Sequence, residues 1–250
     1  MTPNEPLPDE EVFYSEILPL LWRGGSFGYF WSNDDGEGNK VTLWHTIAAG
    51  VSRVPTVWRQ KMNCYFGIHP TIKKGNSWQR AKAEDIACVN CLYAEIDGLA
   101  SIEQAEPYID WLLELPLRPS LIIWSGGGLH IYWLLQDTFW LTEPDARARV
   151  ILAQKAIVRY TNGDTTVHDL PRVLRIAGTT NRKPGRNGAI VQILHWESDD
   201  AYVLDDLEGM CQVYINELAH EAEASPLPVQ PTNLEDAEAW RILFANKNGD

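Results

Sequence analysis

Short apolar runs bounded by glycine, proline or asparagine recur along this chain and predict strands, and stretches with apolar residues at helical spacing fall between them. Phe27–Trp31 and Val41–Trp44 read as two strands joined by a Gly/Asn-rich turn, and Cys64–Ile68 reads as a third. Lys73–Ser77 has loop composition. Cys91–Asp97 is a further strand, ended by Gly98, and the next stretch, Ile102–Leu115, has the 3.6-residue period of a helix stopped by Pro116. Ser120–Trp124 and Leu129–Leu134 form a hairpin around Ser125-Gly126-Gly127-Gly128. Thr142-Glu143-Pro144-Asp145 predicts a capping-box start, with proline in the first turn, for a helix running to about Tyr160. Val173–Ile176 and Ala189–Leu194 read as short strands, and Asp206–Glu221 as one helix. Residues 1–223 make the main body. Residues 224–250 hold a proline-rich linker, Ser225–Pro231, and a short last helix capped by Asn233. No internal repeat is visible.

Composition narrows the class. At 250 residues and 45% hydrophobic the chain buries a substantial core, as one large domain or two small lobes. No apolar run reaches the length of a membrane span and the N-terminus lacks a signal-peptide pattern, so the expectation is a cytoplasmic protein with no membrane partner. Four cysteines are too few for a disulfide scaffold, and the lone Cys88-Val-Asn-Cys91 reads as buried thiols rather than a zinc or redox site.

The formal net charge of -13 argues against a phosphate-rich partner until its distribution is considered. Val51–Ala83 contains Arg53, Arg59, Lys61, Lys73, Lys74, Arg80 and Lys82 and no acid; Leu170–Trp196 contains Arg172, Arg175, Arg182, Lys183 and Arg186 and no acid. Asn187–Trp240 holds no Lys or Arg. Two basic windows flanking an acidic strand suit a polyanionic ligand, although each taken singly fits a solvated loop.

The acidic strand carries the sharpest signal. Residues i and i+2 of a strand share a face, so Glu95 and Asp97 point the same way at a strand tip. Two carboxylates that close repel, and a divalent cation between them relieves the repulsion. The Ser125–His130 stretch places a serine, three glycines and a histidine in one compact turn; singly, the glycines read as a turn and His130 as a hydrogen-bonded core histidine. A third segment, Asn162–Lys183, offers Asp164 or Asp169 as a third carboxylate, and Arg172 and Arg175 as forks for a triphosphate.

In this order the acid-x-acid strand, the Ser-x-x-x-x-His unit and the downstream acid followed by a basic strand resemble the archaeo-eukaryotic primase superfamily, within it the phage, plasmid and PrimPol-like primase-polymerases. The likeness extends over roughly Phe27–Leu194, and includes Arg172-Val-Leu-Arg-Ile-Ala-Gly-Thr-Thr-Asn-Arg-Lys183 and Tyr65-Phe-Gly-Ile-His-Pro70. Many relatives carry Asp where this chain has Glu95. The resemblance implies an α/β, two-lobed catalytic core with an RRM-like lobe and a mixed or antiparallel sheet. It implies a DNA-directed nucleotidyltransferase that extends, and in some members starts, primers in phage or plasmid replication. Two Mg²⁺ or Mn²⁺ ions would be held by Glu95, Asp97 and Asp164, the last preferred to Asp169 on its spacing to Arg175. The incoming dNTP or NTP would be contacted by Ser125, His130, Arg175 and Lys183, with Arg172 assisting. Lys73, Lys74, Arg80 and Lys82 are template-backbone candidates, and Trp78 is a base-stacking one. A primed or single-stranded DNA template is the implied partner, with a helicase as a second.

Two other classes compete. A rolling-circle initiator nuclease also uses a sheet, a metal and histidines, but wants a His-x-His pair, and Leu129-His130-Ile131 supplies one histidine. A catalytically inactive single-stranded-DNA-binding module needs the basic and aromatic residues but not the acids.

Overall fold

The computed structural model describes residues 8–33, 40–186 and 188–224. The predicted linker and last helix lie outside them. In chain order the elements are α1 (Pro8–Val12), a π-helical turn (Phe13–Ile17), α2 (Leu18–Leu21), β1 (Phe27–Asn33), β2 (Lys40–Thr46), α3 (Thr56–Lys61), β3 (Asn63–Gly67), β4 (Cys88–Asp97) and α4 (Ile102–Leu113). They continue with β5 (Leu121–Trp124), β6 (Gly128–Trp140), α5 (Ala146–Tyr160), β7 (Val173–Arg175), β8 (Gln192–Trp196), β9 (Ala201–Tyr202), α6 (Leu204–Met210) and α7 (Gln212–Ala224). Residue contacts divide the chain into Met1–Ile215 and Asn216–Asp250, and both sheets belong to the first unit.

The strands form two sheets. The first is antiparallel in the order β2-β1-β3-β7; the second runs β4-β6-β5-β8, with β9 adding a short parallel pairing to β6. The expected α/β class with antiparallel and mixed sheets is what the structure has. One core cluster draws on both sheets: Phe30, Phe66 and Leu174 from the first, Tyr93, Ile123 and Tyr132 from the second. The N-terminal helical segment supplies Phe13, Ile17, Leu18, Leu21 and Trp22 to the same cluster, all at most 1% exposed. Phe13 meets the Phe66 ring edge-on at 5.0 Å, and Trp22 donates its indole N–H to the Gly67 carbonyl at 2.7 Å. Sequence reading had assigned this segment no element. Its apolar residues, broken by Pro19 and a π turn, keep no single helical period.

Two predicted elements need correction. The helix expected to open at Thr142 begins at Ala146, with Asp145 in the N-cap position and no side-chain cap bond. Pro144 restricts Glu143 to non-helical backbone, so it closes the preceding turn instead of occupying the first helical one. The helix predicted over Asp206–Glu221 is two, α6 and α7, meeting at Cys211. Leu204, Leu207 and Cys211 are buried there, so the chain bends where its apolar face would otherwise leave the core.

β4 lies at an edge of its sheet, and an edge strand must have its open backbone groups satisfied. On α5, Gln154 does this with both ends of its amide. Its Oε1 accepts from the Tyr93 N–H at 3.1 Å and its Nε2 donates to the Tyr93 carbonyl. Two residues on, the Glu95 carbonyl accepts the Asp164 N–H at 2.8 Å. The strand that carries the acids is thereby braced near its tip, beyond which Gly98 turns the chain at φ +86°.

Candidate active site

The acid-x-acid pair emerges from β4 opposite β6, and the register pairs Glu95 with His130 and Asp97 with Gly128. His130 Nε2 stands 3.6 Å from Glu95 Oε1, and the imidazole is buried. Its sequence-level reading as an ordinary core histidine is therefore incomplete, since it also faces a carboxylate across a strand pair. Burial pushes the Glu95 carboxyl upward, but the close approach of His130, with the charges of Arg172 and Lys183, brings it below its ordinary value. Asp97 moves the other way. Partial desolvation and the neighbouring Glu95 charge raise it, against a smaller opposing effect of His130, Lys183 and Arg186.

Each glycine of the turn above this pair has its own reason. Gly126 adopts φ +84°, a conformation that strains any side chain. A Cβ at Gly128 would strike the Ile96 carbonyl, a backbone atom of the acidic strand. One at Gly127 would strike the Arg186 guanidinium, so the bare backbone there lets an arginine lie against the turn. The Ser125 hydroxyl donates to the Gly128 carbonyl at 3.1 Å and is engaged in shaping the turn. Asn181 locks the basic loop to it, donating from Nδ2 to the Ser125 carbonyl at 2.8 Å and accepting the Lys183 N–H at 3.1 Å.

These residues form one wall of a cleft of about 280 Å³. The first sheet makes the other. In register across it run Trp31, Tyr65 and Arg175, all lining the cleft. The Trp31 and Tyr65 rings lie 5.3 Å apart, and the Arg175 guanidinium carbon sits 4.8 Å from the Tyr65 ring centre. Arg80 reaches the same wall, 5.8 Å from the Trp31 ring.

The structure thus brings Glu95, Asp97, Ser125, His130, Arg172, Arg175, Lys183 and Arg80 to one cleft. It does not bring the third acid. Asp164 does not line the cleft: its Oδ1 accepts from the Thr166 N–H at 2.9 Å and the Thr166 hydroxyl at 2.8 Å, closing a local turn. Asp169 is paired with Arg172, whose guanidinium also donates to the Thr166 carbonyl. Among the described residues no three His, Cys, Asp or Glu side chains gather as a metal-holding group. Where the sequence reading expects a trio, the cleft is lined by the Glu95/Asp97 pair, and each downstream acid has a local partner.

The template candidates also divide. Arg80 enters the cleft, Lys73 pairs with Asp85 at 2.8 Å, Lys82 with Glu84 at 3.5 Å, and Lys74 lies 5.4 Å over the Phe27 ring. Their loop is tied to β2 through Thr42 N–H to the Ser77 carbonyl at 2.6 Å and Trp44 Nε1 to the Asn76 carbonyl at 3.0 Å. Trp78 stands 59% exposed on it. Cleft residues that sequence reading missed are Trp31, Asn33, Tyr65, Asn181 and Arg186 as site members. Arg186 had a signal, its place in the second basic window; the aromatic ones looked like any strand-core residue. All four cysteines are buried free thiols, with burial pushing Cys88 up to about 11.

No protein-family model matches the sequence, and no curated protein sequence is similar to it. Solved structures are. The primase-polymerase (PrimPol) domain of cyanophage S-2L superposes with a TM-score of 0.60 at 20% identity, covering 80% of this chain and 97% of that one. The fold is that of an archaeo-eukaryotic primase catalytic core. The catalytic domain of primase RepB′, solved with initiator DNA, gives a TM-score of 0.53 at 14% identity over 87% of this chain and 99% of that one. A second structure of primase RepB′ gives 0.54 at 14% identity over 96% and 69%. Within this primase fold the two walls described above face each other across the cleft.

The donor set can be tested against a metal directly. Two carboxylates whose mutual repulsion raises one of them, ringed by Lys183, Arg186 and Arg175, fit a hard divalent ion that arrives with phosphate oxygens in its remaining positions. Magnesium is commonly held this way, by one or two carboxylates and the substrate's own phosphates. Among the described residues no helix is long and apolar enough to cross a membrane.

Proposed function

We propose that this chain is a DNA-directed nucleotidyltransferase, a primase-polymerase that extends primers in replication of a phage or plasmid genome. The observation that carries the reading is the opposition, across one cleft, of the Glu95/Asp97 pair to a wall of arginines and aromatic rings. That division suits a nucleoside triphosphate and a primer end. The structural neighbours, a phage primase-polymerase and a primase bound to initiator DNA, support it.

Glu95 and Asp97 would hold Mg²⁺ or Mn²⁺. When bound, the ions neutralise charge on the triphosphate and on the oxygens exchanged at its α-phosphorus. The chain's own part is positioning and screening. Arg175, Lys183 and Arg186 face the triphosphate, and the bare Gly126–Gly127 backbone lets it and Arg186 approach closely. His130, buried against Glu95, keeps that carboxylate ionised and oriented. Arg172 is held by Asp169 and contributes its field. Trp31 and Tyr65 supply flat apolar surface for base and sugar, while Arg80 and the exposed Trp78 lead the template strand toward them. The acidic surface elsewhere predicts weak, salt-sensitive template binding, which a helicase partner would compensate.

Incubation with a primed template, labelled dNTPs and Mg²⁺ or Mn²⁺ tests this. Primer extension is expected. Strand scission without extension would favour an initiator nuclease, and DNA retention with neither reaction would favour an inactive binding module.

A further inference from the structure

Behind the glycine turn lies a second cavity, of about 530 Å³. Its walls come from the chain just past the acidic strand, Gly98–Glu103, from Trp124 at the end of β5, and from the basic loop at Gly185, Arg186 and Ala189. The turn is the partition: Gly127 lines the cleft and Gly126 the cavity, while Arg186 lines both. The Arg186 guanidinium lies against Gly127, where a Cβ would strike it, and its loop is pinned to the turn by Asn181. From the opposite side the Gly98 and Leu99 N–H groups donate to the Gly127 carbonyl, at 3.1 and 3.2 Å. One arginine thus faces two compartments across a thin backbone wall.

The compartments differ in charge. Arg80, Arg172, Arg175, Lys183 and Arg186 line the cleft, whereas of the described residues around the cavity Arg186 is the one cation and Glu103 the one anion. The Ser101 side chain and its own backbone N–H draw the Glu103 carboxyl below its ordinary value, so it stays ionised. An anion entering the cavity meets a single cation at the partition and a carboxylate beyond it, which suits passage better than retention.

We propose that this cavity is the exit compartment for inorganic pyrophosphate, with Arg186 passing the anion across. The inference rests on the primase-polymerase reading. In that reaction the primer 3′-oxygen forms a bond to the α-phosphorus and its hydroxyl proton passes to water. The bond from the α-phosphorus to the oxygen shared with the β-phosphorus breaks, and that oxygen keeps the electron pair and leaves on pyrophosphate. The extended primer and template hold the nucleoside side of the cleft. The β- and γ-phosphates face Lys183 and Arg186, so the departing anion lies beside the residue that opens onto the second cavity.

Ala100, an exposed residue of the cavity wall, tests the route. Its backbone N–H bonds Gln104 Oε1 at 2.9 Å and its side chain takes no part, so Ala100→Trp narrows the cavity and leaves the cleft alone. On the full chain with a primed template, incorporation of one dNTP is followed by rapid quench. Pyrophosphate release in the same reaction is followed with pyrophosphatase and a fluorescent phosphate sensor, and melting is measured alongside. In Ala100→Trp, incorporation and melting should match wild type while release lags about fivefold or more, and Ala100→Ser should release as wild type does. Release that keeps pace with incorporation in Ala100→Trp overturns the exit. So does a slowing of incorporation and release together, or an equal lag in Ala100→Ser, since neither is the effect of a blocked route. Loss of dinucleotide synthesis from free nucleotides, with release unchanged, would give the cavity to a starting nucleotide and overturns it too. Wild type that incorporates dNTP, with release indifferent to filling, removes the exit and leaves the polymerase reading standing. Wild type that incorporates nothing removes both.

Discussion

The two walls of the cleft are built on different terms. The wall from the first sheet is packed: Arg175 is buried between an amide and an aromatic face, and Trp31, Tyr65 and Arg80 lie in a row beside it. The wall from the second sheet sets like charges together. Glu95 and Asp97 share a strand face, and only His130 meets Glu95 directly, so Asp97 is held above its ordinary range by partial desolvation and its neighbour's charge. Like charges at a strand tip whose backbone is braced by Gln154 and Asp164 are what the proposed cation would relieve. The contrast separates a wall made to hold its shape from a wall made to hold a ligand.

The sharpest way to break that contrast is Asp97→Ala. If Asp97 holds the metal as proposed, its loss is expected to cut dNTP incorporation roughly 10³-fold in primer extension with Mg²⁺ or Mn²⁺, with folding retained. Extension at wild-type rate would leave the acid wall without a catalytic role.

The glycine turn tests the same division at neighbouring positions. Gly128→Ala forces a methyl group into the Ile96 carbonyl and should cost about 1–3 kcal/mol in denaturant unfolding. Gly127→Ala meets only the flexible end of Arg186, so stability should hold while the KM for dNTP rises about threefold to tenfold. Equal effects from the two would mean that Arg186 has no business at the turn.

Asp164→Asn sharpens the account of the third acid. An asparagine oxygen still accepts from Thr166, so a residue that only closes its turn and caps the β4 edge should lose less than about threefold in extension rate. A loss matching Asp97→Ala would restore Asp164 to the metal.

The smallest effect concerns stability without metal. Asp97 titrates higher folded than unfolded, so the folded state carries a penalty above that raised value. The penalty disappears as pH falls through it and Asp97 takes up a proton. Asp97→Asn should therefore raise the melting temperature of the metal-free protein near neutral pH and leave it unchanged in acid. Solvent screening at this exposed side chain keeps the gain to about 1–2 °C. Differential scanning calorimetry across pH would show it, and an unchanged or lowered neutral-pH melting temperature would deny the unmet charge.

Most strands, the helix α4 and the glycine hairpin were legible because their information is local: a period, a turn residue, a terminating proline. The Glu95/Asp97 pair and its apposition to His130 belong to the same kind, since strand geometry puts i and i+2 together and a tight hairpin makes the next strand a neighbour. The two basic windows foretold where a polyanion would go. What the chain alone could not rank was which charges are free. Asp164, Asp169, Lys73 and Lys82 look identical in sequence to site residues, yet Asp164, Asp169 and Lys82 have partners two or three residues away and Lys73 has one twelve residues on, in Asp85. Nor could it tell that Trp31 and Tyr65 face a cleft while Phe30 and Phe66, one residue off in the same strands, face the core. A strand's two faces are chemically defined only when both layers are in place, and a side chain's charge is available only after its neighbours have made their claims. Those are properties of packing across long sequence separations, which is why the acids and the fold were readable early and the opposing wall emerged only from the assembled sheets.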